Sequence, residues 1–216
     1  MRKTVTSFQL GQTTRTVTEI KNTLNAVEAD TFVLTREVTV ITGARGVAKK
    51  PESIRYNFFN MVEDSTTQEK ELDSENILVG INAVPCQVRE FQKVGSLRRE
   101  STKVWYSSVL FPYIFQQITK TYTLPNAETP EETLFRQSVT NIFFQTPDFR
   151  FNNIKRWGTK TMETDGDGNV VKRVTTIHFN QVPGGVISES VVEFSPEGRV
   201  IGRSETRLLD YYVAPR

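Results

Sequence analysis

The sequence predicts an α+β fold, with an N-terminal β-hairpin and antiparallel sheet, helices after the sheet, and a β-meander at the C-terminus. Three observations lead to this prediction. Residues 3–23 alternate in the way two paired strands do. A capped helix start stands at residues 129–132. Three marked turns, at residues 165–169, 183–185 and 195–198, divide the last quarter of the chain into short strands.

The N-terminal hairpin is the clearest of these elements. In its first arm Val5 and Ser7 fall on one side, and Thr6 and Phe8 fall on the other. The second arm, residues 14–20, alternates in the same way, and residues 11–13 make the reversal. A short helical or irregular stretch at residues 22–30 is expected to follow.

The middle of the chain predicts further strands. Residues 31–41 and 53–62 are expected to pair antiparallel across a Gly-rich basic turn, and residues 63–75 form a solvated acidic loop. Strands at 77–83 and 87–94 are expected on either side of a break at Pro85. Residues 95–102 form a basic loop, and residues 103–115, the most β-prone segment, run through the middle of the sheet to a bend at Pro112.

The predicted helix starts at Thr129-Pro130-Glu131-Glu132, where Thr can cap, Pro suits the first helical position, and acids favour the positive end of the dipole. It runs to residue 145. Four apolar residues at helical spacing make its buried face: Phe135, Val139, Ile142 and Phe143. A second short helix is expected over residues 147–157.

Beyond Gly158 the pattern changes to a β-meander, with strands at residues 160–163, 170–182, 186–194 and 199–213. The turns between them carry the Gly and Asn residues that tight reversals need. A domain boundary is therefore predicted at Gly158, which divides the chain into residues 1–157 and 158–216.

Composition favours an ordered globular protein, since 37% of the 216 residues are hydrophobic and 14 are Phe. Neither a secretory leader nor a membrane span is predicted, because no apolar run approaches the required length. The formal net charge of +2 does not by itself indicate a nucleic-acid binder. The single cysteine, Cys86, predicts a free thiol and leaves an intermolecular disulfide open.

No catalytic or metal site is predicted. His178 is the only histidine and lies within a predicted strand, where a structural role is expected. Asp165, Asp167 and Asn169 imitate the start of a calcium loop, but Val170 stands where that loop needs glycine, so a hairpin turn is the better interpretation. The sequence therefore predicts a protein that is not an enzyme and needs no cofactor.

A polar strand face offers a candidate RNA site. Alternation places Arg55 and Asn57 on one side of a strand whose other side, with Ile54 and Tyr56, is apolar. Arg can bind phosphate, Asn can bind a base edge, and an aromatic residue such as Tyr106 can stack on an unpaired base. A polar face turned only to solvent is the alternative explanation.

The chain resembles the coat proteins of single-stranded RNA bacteriophages, the leviviruses, over residues 1–157. The similarity rests on these elements in the family's order: Lys3-Thr4-Val5, Gly11 and the run 14–20 of the hairpin; Arg55-x-Asn57 in a strand; Val104-Trp105 in the last sheet strand; and the Thr-Pro-Glu-Glu helix start. The loops at 63–102 and 116–128 are longer than in the family.

The resemblance implies an antiparallel sheet whose C-terminal helices interlock with a partner subunit. Phe135, Val139, Ile142 and Phe143 would then bury against the other chain of a homodimer. Dimers would assemble into an icosahedral virion in the cytoplasm of a bacterial host and package genomic RNA. They would also hold an RNA operator hairpin as a translational repressor.

For RNA contact, Arg55 and Asn57 match the family's positions, and strand parity adds Thr39, Tyr106 and Ser108. Family coats are shorter, so residues 158–216 would form a β-rich extension, either an exterior projection or an arm that clasps a neighbour. Some relatives cross-link a sheet loop with cysteines, whereas Cys86 is alone here. The alternative hypothesis is a soluble β-rich binding module or a phage tail component without RNA binding.

Overall fold

The computed structural model describes residues 2–9, 12–27, 31–42, 45–57, 66–110, 112–125, 129–144, 156–179 and 186–210. Within these ranges the protein is all-β, with no helix. Its strands are β1 (Arg2–Gln9), β2 (Gln12–Val27), β3 (Thr31–Thr42), β4 (Arg45–Ala48), β5 (Glu52–Asn57), β6 (Thr67–Val79), β7 (Asn82–Val94), β8 (Arg98–Tyr106), β9 (Ile114–Thr123), β10 (Thr133–Phe144), β11 (Arg156–Asp165), β12 (Val170–Phe179), β13 (Val186–Phe194) and β14 (Val200–Asp210).

The strands form one 14-stranded sheet in the order β4-β3-β2-β1-β14-β13-β12-β11-β10-β9-β8-β7-β6, with β5 also paired to β3. All the strand pairs are antiparallel, and in most of the sheet strands that are consecutive in sequence lie side by side. There are two exceptions. β1 lies between β2 and the last strand, β14. β4 and β5 both pair with β3, at the opposite end of the sheet order from the next strand in sequence, β6.

The N-terminal hairpin is confirmed, because β1 and β2 pair from Arg2↔Glu19 to Gln9↔Gln12. The helical or irregular stretch expected after it is wrong for residues 22–27, which continue β2 and pair with β3, with a register shift between Leu24 and Ala26. Residues 28–30 lie outside the described ranges. The expected antiparallel pairing of the next two strands is also confirmed, as β5 pairs with β3.

The predicted α+β class is wrong, because the segment expected to form the first helix is strand β10. β10 pairs along its length with β9 on one side and β11 on the other. The Thr129–Glu132 motif does not begin a helix; instead Glu132 accepts two hydrogen bonds from Arg99, at 2.7 and 3.0 Å. Of the second expected helix, residues 147–155 lie outside the described ranges, and Arg156 and Trp157 begin β11.

The change from helix to strand also removes the predicted apolar helix face. In β10, Val139 and Phe143 point to one side of the sheet and Ile142 to the other, since strand side chains alternate. Phe135 lies at a bulge between β9 and β10. These four residues therefore cannot form the single helical surface that was expected to bury against a partner chain.

The acidic segment is also different from its prediction. From Thr67 onward it is not a loop but strand β6, which pairs with β7; residues 63–65 lie outside the described ranges. β7 runs through Pro85, where a break was expected. Pro85 is tolerated because β8 pairs with β7 only from Gln87 onward, so the missing N–H has no partner strand on that side.

The β-prone segment 103–115 divides into the end of β8 and the start of β9. The turn between them contains Pro112, as expected of a bend, and Tyr113 with a φ of 76°. The Ser107 amide donates to the Tyr113 carbonyl at 2.8 Å and closes this turn. β8 itself lies between β7 and β9, inside the sheet.

The C-terminal meander is confirmed as β11 to β14, each paired with the next. The turn at residues 165–169 is the predicted hairpin turn, since the Asp165 carboxylate accepts hydrogen bonds from the Asp167 and Asn169 amides. Residues 183–185 lie outside the described ranges. The predicted boundary residue, Gly158, lies inside β11, and the pairing with β10 continues on both sides of it; the division into two domains stays a prediction.

The described core is concentrated at the β6–β10 end of the sheet. One cluster comprises Val79, Val84, Cys86, Val88, Trp105, Phe115 and Ile142, and a second comprises Phe91, Val104 and Tyr106. By contrast, nearly all described side chains of β11–β14 are half-buried or exposed. The sheet therefore has a compact apolar end and a long part in which few described side chains are buried.

The contact between Phe143 and Gly158 provides a test of this register. The two residues are paired across β10 and β11, and a Cβ added to Gly158 would overlap the Phe143 ring. We therefore expect Gly158→Ala to lower the free energy of unfolding by about 1–3 kcal/mol. In the Phe143→Ala background the same replacement should cost less than about 0.5 kcal/mol. Urea unfolding of the four proteins measures this coupling, and equal costs in both backgrounds would contradict the register.

Candidate nucleic-acid interface

The predicted RNA-binding residues fall at two distant places in the sheet. Arg55 of β5 is exposed, and it shares a sheet face with Thr39 of β3, since Arg55 pairs with Val33, six positions before Thr39. Asn57 ends β5 at a position on the same face, but its side chain lies outside the described part. Tyr106 is the last residue of β8 and Ser108 lies just after it, and eight strands lie between β3 and β8 in the sheet order.

Tyr106 is also unsuited to stacking in this conformation. Its side chain is 6% exposed, and its hydroxyl accepts a hydrogen bond from Arg89 Nε at 3.1 Å. Ser108 is exposed in the turn after β8. The structure thus places Arg55 and the position of Asn57 on one face of the sheet, with Thr39 on the same face but about 20 Å farther along β3, and it does not bring Tyr106 or Ser108 to them.

A different surface gathers more positive charge, on one face of β11–β14. Cross-strand pairing places Lys160, Thr175, Ser190 and Glu205 in one row across these four strands. Residues two apart on a strand point to the same side. The face that contains this row, which we call the basic face, therefore also carries these residues: Arg156, Arg173, Arg203 and Arg207.

All five cations of the basic face are exposed. Glu205 is the one carboxylate among its described side chains, and it lies 3.1 Å from Arg207. The opposite face of the same strands has Lys172 together with four acids: Glu163, Asp165, Glu189 and Glu193. The overall charge of +2 therefore conceals a strong separation of charge between the two faces.

Aromatic rings lie beneath three of these cations. The Lys160 ammonium is 5.2 Å from the Phe143 ring centroid, the Arg156 guanidinium is 5.5 Å from that of Phe179, and the Arg173 guanidinium is 5.1 Å from that of Phe194. Such cation–π contacts stabilise each cation above a ring. They hold the side chains over the sheet, where all three cations remain exposed.

Polar side chains continue the row toward the centre of the sheet. Asn141 of β10 pairs with Lys160, and Gln116 of β9 pairs with Asn141. The two amides are joined by a hydrogen bond from Gln116 Nε2 to Asn141 Oδ1 at 2.6 Å. The row therefore presents amides, an ammonium and hydroxyls at one level of the sheet, which are groups able to bind base edges and phosphates.

The basic face was not predicted, although part of its pattern is visible in the sequence. Arg203-x-Glu205-x-Arg207 shows the two-residue period that places these side chains on one face. What the sequence does not show is that Arg156, Lys160 and Arg173, from two other strands, meet them. To predict that these cations meet, one needs the registers of three strand pairs, β11–β12, β12–β13 and β13–β14. Each of these registers contains an irregularity.

The described residues contain no arrangement typical of catalysis. No group of three or more His, Cys, Asp or Glu is placed to hold a metal ion among them. The imidazole of His178 stacks on the Trp157 indole, with centroids 3.9 Å apart and planes 4° from parallel, which fits the structural role expected of it. No helix within the described ranges could cross a membrane.

Charged groups near the core bind one another. Glu75 accepts hydrogen bonds from Lys103 Nζ at 2.9 Å and from Trp105 Nε1 at 2.8 Å, and these bonds lower the pKa of its carboxyl group. Glu69 is paired with Arg89. These contacts satisfy the polar edge of the β6–β8 core, and we assign them a structural role.

Comparison with known proteins gives no match: no protein-family model, no curated protein and no solved structure is similar to this chain.

The Cys86 thiol supplies a test of the core. It is 2% exposed, and its desolvation raises its pKa from 9.0 to about 11. Because the thiolate is the reactive form, alkylation by iodoacetamide at pH 8 should be about a hundredfold slower in the folded protein than in urea. Mass spectrometry of timed samples measures both rates. Equal rates would show that Cys86 is accessible, as an intermolecular disulfide would require.

Proposed function

We propose that this protein binds single-stranded nucleic acid, RNA above all, across the basic face of β11–β14. The observation that carries the proposal is the placement of five exposed cations, with one carboxylate, on one side of four adjacent strands. Binding to a polyanion needs such a local excess of charge and not a high net charge of the whole chain.

The side chains between the cations favour a nucleic acid over other polyanions. Arg guanidinium planes stack on unpaired bases, while Lys and Arg bind phosphates. Asn141, Thr175 and Ser190 lie in the same row and can donate hydrogen bonds to base edges or accept them. A sheet face that carries exposed side chains suits a single strand, whose bases can turn toward the protein.

Assembly of a phage capsid is a separate prediction. The family's dimer depends on helices that follow the sheet, and the described part of this chain has strands there. RNA binding by the basic face needs neither a coat dimer nor a virion, so the proposal is restricted to nucleic-acid binding. A β-rich binding module without affinity for RNA is the alternative that the following experiment separates from it.

Removal of one cation should weaken binding in a salt-dependent way. For the wild-type protein and an unstructured oligouridine, fluorescence anisotropy should give an affinity that falls with salt at a log–log slope of about −2 to −3.5. Arg173→Gln should reduce the affinity about tenfold and the magnitude of the slope by about 0.7, because one phosphate contact is lost.

The matched control is Lys172→Gln, which removes the same charge from the next residue of β12 but on the opposite face. It should leave both affinity and slope within error of the wild type. Equal losses for the two variants would mean that the basic face is not the site. Loss of binding in Arg55→Ala, with Arg173→Gln unchanged, would place the site on β3 and β5 instead. Absence of binding by the wild type would favour the alternative hypothesis, a β-rich binding module without affinity for RNA.

A further inference from the structure

A cleft lies at one end of the basic face, between two hairpin turns. The β11–β12 turn, residues 165–169, leads into β12 at Val170, and the β13–β14 turn, residues 195–198, follows the end of β13 at Phe194. Because β12 and β13 are antiparallel neighbours, the two turns lie side by side. The cleft between them has a volume of about 370 Å³, which is within the range of small-molecule binding sites.

The lining of the cleft combines a cation, an aromatic ring, a carboxylate and an amide. Arg173 and Phe194 are in contact there, with the guanidinium 5.1 Å from the ring centroid. Asn169 comes from the first turn and Glu197 from the second. Arg173 is also one of the cations of the basic face, so the cleft adjoins the surface proposed to bind RNA.

The two charged groups of the cleft retain bonding capacity for a ligand. Among the described residues Arg173 makes its contact with Phe194 and no hydrogen bond or ion pair, so its N–H donors have no acceptor there. Glu197 accepts a hydrogen bond from the Ser195 hydroxyl, 2.7 Å from Oε2. This bond lowers the pKa of the Glu197 carboxyl group, which is therefore ionised at neutral pH.

Backbone hydrogen bonds fix both turns. The Ser195 amide donates to the Arg199 carbonyl at 2.8 Å, and the Gly198 amide donates to the Ser195 carbonyl at 2.9 Å. In the other turn the Asp165 amide donates to the Asn169 carbonyl at 3.0 Å. The backbone around the cleft is thus already ordered, which lowers the entropic cost of binding a ligand.

We propose that this cleft binds one guanine base of the RNA strand that lies on the basic face. The inference rests on the proposed RNA binding and adds a base preference to it. The Hoogsteen edge of guanine offers two acceptors, O6 and N7, which suit the N–H groups of Arg173. Its Watson–Crick edge offers two adjacent donors, on N1 and N2, which suit the two oxygens of the Glu197 carboxylate.

The other bases match these two groups less well. Adenine has an amino donor beside N7, which opposes the Arg173 guanidinium, and its N1 acceptor would face the Glu197 carboxylate. Uracil has acceptor carbonyls on both sides of its one N–H donor. Cytosine can donate from N4, but its N3 and O2 acceptors lie next to that group. Each of these bases would leave a charged group without a hydrogen-bond partner, which weakens binding.

The first measurement compares three labelled decamers by fluorescence anisotropy. They are oligouridine and the same chain with one central uridine replaced by guanosine or by adenosine. The wild-type protein should bind the guanosine decamer at least about tenfold more tightly than oligouridine. The adenosine decamer should gain less than about threefold, from stacking alone.

The outcomes of this comparison separate the two proposals. Binding to oligouridine without a gain from guanosine would overturn the guanine site and leave RNA binding by the basic face intact. Equal gains from guanosine and adenosine would also overturn the guanine site, because stacking would explain them. Absence of binding to every decamer would overturn both proposals.

The variant Glu197→Gln removes the carboxylate and keeps the length of the side chain. Its affinity for the guanosine decamer should fall about tenfold. Its affinity for oligouridine should stay equal or rise, since one negative charge near the strand is lost. A misfolded variant would lose affinity for both decamers. The matched control is Glu193→Gln, at an exposed position on the opposite face of β13, and it should keep the guanosine preference. Equal loss of preference in both variants would overturn the proposal.

Inosine tests the contact between Glu197 and the base directly. It keeps O6, N7 and the N1 donor of guanosine but lacks the N2 amino group. Replacement of the guanosine by inosine should weaken binding to the wild type about fivefold and leave binding to Glu197→Gln unchanged. An equal loss in both proteins would overturn the assignment to Glu197. Competition by free GMP as strong as by the guanosine decamer would overturn the placement of the cleft on the RNA path.

Discussion

The pairing of β1 with β14 is the contact on which the whole sheet depends. It joins β1, the first strand, to β14, the last strand, from Arg2↔Asp210 to Gln9↔Gly202. In the described part of the chain no other strand pair connects β1–β5 with β6–β14. Closing a loop of this length costs conformational entropy that local hairpins avoid. We infer that the hairpins form first and that the two parts join afterward.

This architecture explains the uneven burial. Large apolar residues are packed at the β6–β10 end, whereas β11–β14 are held by backbone hydrogen bonds and by cross-strand contacts such as Thr140 with Thr161 and Trp157 with His178. Few described side chains of β11–β14 are buried, so the five cations of the basic face stay exposed and are not desolvated.

Local patterns predicted much of the strand arrangement. The hairpin, the β3–β5 pairing and the turns around Asp165 and Ser195 follow from alternation and from residues suited to reversals. The helix prediction failed because Phe135, Val139, Ile142 and Phe143 fit helical spacing, while β-branched and aromatic residues also suit a strand. Pairing with β9 on one side and β11 on the other stabilises this segment as a strand and not as a helix. The spacing of residues in the sequence does not reveal such neighbouring strands.

The candidate site was harder to predict for the same reason. Alternation along the single strand β5 is enough to place Arg55 and the position of Asn57 on the same face. Joining Tyr106 to them required knowledge of the strand order, and the sheet places eight strands between. The basic face likewise exists only when the registers of β11 to β14 are correct, because its cations come from three strands.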